Sequence, residues 1–395
     1  MRLGLNLPPH FRVFAAFAVY SFCMGNIFPR LPDIQHQMGV AEGALGFGLI
    51  GTPIGTLISL TFAAPLIERI GFRRLLLAAI PLLALLYAAA ALAPNPVAFF
   101  VLLIPVGLVI GSIEMVINTE ADRTEHLMGF RIMNRAHAFW SGGFFMAGVF
   151  GTWMAQLGIS PQLHLALIVP IGIAGVALLL GRFEPAPHRA GGSTEAAPRF
   201  AAPTGAIMIL VAVTLSAMLL EGASMDWSAI YMRNIFNPGP FLTGIAVACF
   251  AFSQAATRFF ADGFVERHSP EGVARFLLCV MLAGVLVVYF SPWPMLSLFG
   301  FVLLGVGTSA IFPLAMSAAA QRTDRPAVIN VAALAQNSFV IFLLGPPLLG
   351  NVAQAFGIRW SFGIGLPLIL VSFVLAGALG KRPARAALAD AAPGE

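Results

Sequence analysis

Gly107, Gly111, Glu114, Asn118, Asp122 and Glu125 recur at intervals of three or four residues. On a helix that spacing places all six on one face. The residues around Glu114 are apolar, so its carboxyl falls where a charge costs about 2.5–3.5 kcal/mol if the helix crosses a membrane. A carboxyl withdrawn from water holds its proton more tightly, which makes Glu114 the candidate for loading and unloading a proton. The plainer alternative is a carboxylate bonded permanently to a neighbouring helix. Histidine titrates near neutral pH, and His137, early in the next apolar run, could relay a proton to Glu114 or serve as a hydrogen-bonded packing residue. Further along, Glu221 is the counterpart acid, with Ser224 and Ser228 on its face and Tyr231 following; Asp226 lies beyond it.

Other polar residues inside apolar runs are amides and aromatics: Asn26, Asn118, Trp140, Trp227, Gln254, Gln336 and Asn337, with Asn330 nearby. Amides bond hydroxyls and aromatic faces pack on apolar patches, so this set suits a neutral polyhydroxylated solute. Plain interhelical hydrogen bonding, worth about 0.6 kcal/mol per contact, is the structural alternative. Charges cluster at the ends of the runs. Asp122, Arg123, Glu125, Arg131 and Arg135 read as a salt-bridged gate. Glu68-Arg69 with Arg73, and Glu266-Arg267 with Asp262 and Arg258, read as two latches. Arg30 and Asp33 read as a boundary ion pair.

These residues need helices in a membrane to position them. Hydrophobic residues make up 59% of the 395 and charged residues 10%, far below the quarter or so of a soluble domain. Each membrane helix uses about 20 apolar residues. Twelve runs are found, near 11–35, 42–67, 74–94, 96–121, 132–157 and 162–182, then 205–232, 241–265, 273–291, 294–320, 327–355 and 359–380. The expected organisation is an all-α polytopic membrane protein with two six-helix bundles, 1–183 and 205–382. A linker rich in Pro, Ala, Gly and charge joins them over 184–204, and a disordered tail follows at 383–395. With both termini in the cytoplasm, only Arg30, Arg233 and Arg359 of the 22 basic residues fall at external ends, a strong positive-inside bias. The two Glu-Arg pairs lie 198 residues apart, each after the second span of its half. Internal repeats of this kind mark secondary transporters, whose site lies between the halves near mid-membrane.

The stretch Ala64 to Arg74, with Glu68, Arg69, Gly71, Arg73 and Arg74, resembles the loop 2–3 signature of the major facilitator superfamily. Ala64 and Glu68 stand where that signature usually has Gly and Asp. Four further stretches are similar to the fucose-permease-like bacterial branch: Phe28 to Ile34, Glu114 to Asn118, Met133 to Gly143, and Glu221 to Ala229. The resemblance covers nearly the whole chain. It implies the two-bundle fold, alternating access and sugar–proton symport as the nearest precedent.

Catalytic, phosphate-binding and metal-binding motifs are missing from the sequence, so no enzyme activity, cofactor or metal is expected. Basic residues come in small groups between apolar runs, which argues against nucleic acid. Cys23, Cys249 and Cys279 lie in apolar runs and suggest no disulfide framework. The expected function is secondary active transport of a small polar solute, such as a sugar, by proton symport across the inner membrane. The expected partners are the solute, protons and the bilayer, and the expected state is a monomer. A proton-coupled efflux antiporter and a non-transporting sensor or scaffold are the alternatives. Span 5 has Gly142-Gly143 but lacks the Gly-Pro common in efflux proteins, and the mid-membrane acids argue against a sensor.

Overall fold

In the computed structural model, residues 4–187 and 201–380 are described, with the backbone alone at 134, 261–266 and 328. The expected tail and most of the expected linker lie outside these residues. The chain is all helical. Its long elements are α1 (Pro9–Met38), α2 (Glu42–Phe62), α3 (Phe72–Ala90), α4 (Pro96–Met128), α5 (Met133–Gln156) and α6 (Pro161–Leu180). The second set is α7 (Gly205–Phe236), α8 (Pro240–Arg267), α9 (Pro270–Phe290), α10 (Pro294–Ala320), α11 (Ala327–Phe356) and α12 (Arg359–Leu379). Among the described residues, eleven helices are long and apolar enough to cross a membrane. The twelfth crossing is α5, which carries Arg135, His137 and Ser141 along its first turns.

Local chemistry sets the boundaries. Proline opens α4, α6 and α9, where its missing N–H is not needed, behind the side-chain caps Asn95, Ser160 and Ser269. Several helices depart from the expected ranges. α4 runs on to Met128 and closes on Gly129 at φ 73°. The second span stops at Phe62, and a separate short helix, Ala64–Ile70, carries the Glu-Arg turn. α10 is broken between Thr308 and Ile311. Irregular backbone inside a membrane needs a partner, and Arg258 Nε on α8 donates to the freed Ser309 carbonyl at 2.9 Å.

The two bundles repeat each other in packing as well as in sequence. A Cβ on Gly107 of α4 would collide with the Thr52 carbonyl of α2. At the same 198-residue offset, a Cβ on Gly305 of α10 would collide with Ser253 of α8. Ser59 and Ser112 hydroxyls, 2.8 Å apart, seal the first of these crossings. The main contacts between the bundles are α5 with α8 and α11 with α2, with smaller ones from the end of α1 to α7 and α8. α11 packs on Glu42–Leu49 and has little contact with Gly51–Phe62. The bundles are therefore closed together at the end where α1 finishes and α2 begins, here the far end. Along α2 and α11 they diverge toward the basic end, where α1 and α7 begin.

Candidate functional site

Glu114 is half-buried on α4. One turn on, Asn118 Nδ2 donates to the Glu114 backbone carbonyl at 2.9 Å and to Glu114 Oε2 at 3.0 Å. The Tyr20 hydroxyl of α1, 1% exposed, is the carboxylate's other hydrogen-bond partner. With its NH2 spent on Glu114, Asn118 turns Oδ1 to His137 Nε2 of α5 at 3.2 Å. An amide oxygen only accepts, so His137 carries its proton on Nε2 there. Phe17 packs edge-on to the His137 ring, centroids 5.2 Å apart. Three helices thus converge on one carboxyl through a tyrosine, an amide and an imidazole.

Across the bundle interface, Arg258 NH2 lies 3.4 Å from Glu221 Oε1. Arg258 is held by Glu221 and by the break in α10, and it lies near enough to His137 for electrostatic interaction. Both side chains stay partly accessible, at 25% for Arg258 and 16% for Glu221. Asp226 is half-buried on α7, within electrostatic reach of the buried Tyr87 of α3. It makes no hydrogen bond or ion pair among the described residues.

Several expected solute-binding residues are committed elsewhere. Asn26 is fully buried, donating to the Phe22 carbonyl and pairing with His164 Nε2 at 2.9 Å. Gln254 is buried against Thr308 at the break in α10. Gln336 Oε1 accepts from Ala201 N–H at 3.0 Å, at the start of the second bundle. Trp227 is 0% exposed, its ring against Gly350 of α11. Asn337 is half-buried and donates to its own helix at Ala333. Trp140 is half-buried and stacks on Phe144, centroids 5.4 Å apart. Asn330 is buried and donates to Asp324 Oδ1 at 3.0 Å. Asn118, Trp140, Gln336 and Asn337 are the members of the expected solute set that stay half-buried rather than buried.

The charged ends also differ from a salt-bridge picture. Glu68, Arg69, Asp122, Arg131, Arg135 and Arg267 are exposed, and no ion pair joins Asp122 to Arg131 or Arg135 among the described residues. Glu125 Oε1 instead accepts the backbone N–H groups of Ile132 and Met133 at 2.6 and 2.7 Å, tying α4 to the start of α5. Arg123 lies over the Phe72 ring at 4.5 Å. Arg73 donates to the Gly181 carbonyl at 2.8 Å. The Asp262 and Glu266 side chains lie outside the described residues. Arg30 pairs with Asp33 at 2.8 Å and donates to the Ile159 carbonyl.

The far end holds contacts that single-residue reasoning missed. Arg233 of α7 donates to Gln35 Oε1 at 2.9 Å and to the Pro32 carbonyl. Asn234 donates to Glu42 Oε1 at 2.7 Å. Gln354 Oε1 of α11 accepts from Gly43 N–H at 3.2 Å, and Gln156 Oε1 of α5 accepts from Phe241 N–H at 3.1 Å. The repeat offset was the available signal, since it maps Gln156 onto Gln354 and Gln35 onto Arg233.

A twelve-helix fold in two repeated bundles, with a polar cluster held inside the membrane region, defines a polytopic transporter. The chain belongs to the major facilitator superfamily. The model of that superfamily matches residues 209–394. An uncharacterised transporter of Sinorhizobium fredii is 30% identical over 370 residues, 93% of this chain and 97% of that protein. An uncharacterised MFS-type transporter of Yersinia pestis is 26% identical over 90% of this chain and 91% of its own length. Two solved structures share the fold. The nucleoside transporter NupG aligns with a TM-score of 0.70 at 14% identity, covering 94% of this chain and 98% of that one. The E. coli fucose:proton symporter FucP aligns with a TM-score of 0.58 at 19% identity, covering 94% and 98%. The protein is thus a multi-pass membrane transporter and not an enzyme.

Proposed function

We propose that this transporter is a proton-coupled symporter for a small polar, uncharged solute, with Glu114 as the proton-carrying group. The observation that carries the reading is the Glu114 carboxyl held by Tyr20 and Asn118 inside a membrane helix. Such a carboxyl exchanges its proton when the surroundings alternate between bilayer sides. His137 acts on Asn118 and not as a relay. Its Nε2–H meets an amide oxygen, and an amide does not pass protons at neutral pH. His137 therefore fixes the Asn118 orientation that faces Glu114. The solute is proposed to contact Asn118, Trp140 and Asn337, with the Glu221–Arg258 pair bordering the same space from the second bundle. The likeness to NupG, a nucleoside transporter, and to FucP, a fucose:proton symporter, supports a hydroxyl-rich solute. With the basic end in the cytoplasm, as the positive-inside bias implies, the site opens inward and the far end is closed to the outside.

The test is uptake into reconstituted vesicles under an imposed pH gradient, screening labelled sugars, nucleosides, organic acids and cationic drugs. Accumulation of a neutral polyol or nucleoside with acid outside is the expected result. Accumulation only with acid inside would make the protein an antiporter, and silence for every solute would favour a sensor.

A further inference from the structure

The far-end contacts obey the same two-fold relation as the bundles themselves. Gly43 and Phe241 are 198 residues apart, and so are Gln156 and Gln354. The two bonds, Gln354 to Gly43 N–H and Gln156 to Phe241 N–H, are one interaction made twice. Each takes a glutamine from the last turns of one bundle's helix to the first turn of a helix in the other. Gln35 and Arg233 are also 198 apart, and they bond to each other. A residue bonded to its own repeat counterpart lies on the pseudo-two-fold axis. Arg233 therefore closes the centre of the far end, and the two glutamines close its flanks.

The chemistry suits contacts that break and re-form. First-turn N–H groups have no partner within their helix, and water can replace a glutamine oxygen there. Gln156, Gln354 and Asn234 are exposed, so release costs little desolvation. Behind this ring the bundles approach closely. A Cβ on Gly46 would strike the Pro346 carbonyl of α11, and one on Gly244, its repeat counterpart, would strike Thr152 of α5. The ring is thus the polar rim of a tight, glycine-lined seam.

We propose that Arg233, Gln156 and Gln354 form the far-end gate of the transport cycle, with Arg233 as its central residue. This rests on alternating access of the two bundles, and the experiment separates the two ideas. Cys23, Cys249 and Cys279 are replaced by Ser. Spin labels are then placed by Leu92→Cys and Phe290→Cys at the far end, or by Leu127→Cys and Gln321→Cys at the basic end. All four labelled positions are exposed. Pulsed electron–electron distances are measured in the parent, in Arg233→Ala, and in the Gln156→Ala/Gln354→Ala pair.

The expected result is a longer far-end distance in each variant, with the ratio of open to closed populations rising roughly tenfold on loss of the arginine bonds. The basic-end distance shortens in step. Unchanged far-end distances in both variants would overturn the gate. A far end that opens while the basic end stays as it was would support the gate and remove the alternating-access reading. If Arg233→Ala does not fold, the glutamine pair, at exposed positions, decides alone.

Discussion

At the residue scale, the cluster around Glu114 divides labour among its neighbours. Tyr20 and Asn118 hold the carboxyl, and His137 holds Asn118. The roles predict different defects. Glu114→Gln should abolish uptake driven by a pH gradient while sparing solute exchange. His137→Asn should lower transport several-fold yet leave its dependence on the proton gradient intact, as read from uptake at a series of external pH values. Loss of proton dependence in His137→Asn would make the histidine a carrier. Glu114, Asn118 and His137 were legible in the sequence, because a polar residue repeating at helical spacing in an apolar run has few innocent explanations. Tyr20 was not, since a tyrosine in an apolar run looks like core until its hydroxyl finds a carboxylate. Asn26 and Gln254 show the reverse case. Their types suit a solute, but in this structure packing gives them His164 and Thr308 as partners.

At the scale of elements, the crossings of α2 with α4 and of α8 with α10 depend on the missing side chains of Gly107 and Gly305. Gly107→Ala should force the backbones apart and destabilise the protein by about 1–3 kcal/mol, seen as a lower melting temperature in detergent. An unchanged melting temperature would mean that the crossing gives way easily. The loop before α11 makes a pH prediction. Arg322 beside Asp324 holds its exposed carboxyl below the usual carboxylate range, and Asn330 donates to the same group. A carboxyl with a lowered pKa contributes its tie above the ordinary carboxylate pKa and loses it as pH falls through the lowered one. Amide exchange at the start of α11, corrected for its intrinsic pH dependence, should therefore rise only in acid. In Asp324→Asn it should be raised at neutral pH as well. Helix number and most helix centres were legible from apolar runs broken by Pro, Gly and charge. The break in α10 had an overlooked signal, Pro313, which offers no N–H to the Ser309 carbonyl four residues before it; what could not be read is that Arg258, distant in sequence, takes up that carbonyl.

At the scale of the whole molecule, the two bundles share a fold, a crossing geometry and a far-end contact set, but not their chemistry. The acid of α4 has no equivalent in α10, where Phe312 takes the corresponding position. The second bundle contributes the Glu221–Arg258 pair instead. An asymmetric pair of bundles can place a proton-carrying group in one half and a fixed charge pair in the other, both facing the seam that opens toward the basic end. The repeat itself was readable from the paired Glu-Arg turns. Which residues it brings together was not, because contacts between bundles depend on the state of the cycle. The central claim is that solute movement carries a proton through Glu114. Its most direct measurement is the pH change inside vesicles when a transported solute is added outside with no gradient imposed. Wild-type protein should acidify the lumen as solute enters, and Glu114→Gln, though still exchanging solute, should leave the lumen unchanged. Equal acidification by the two proteins would contradict the account.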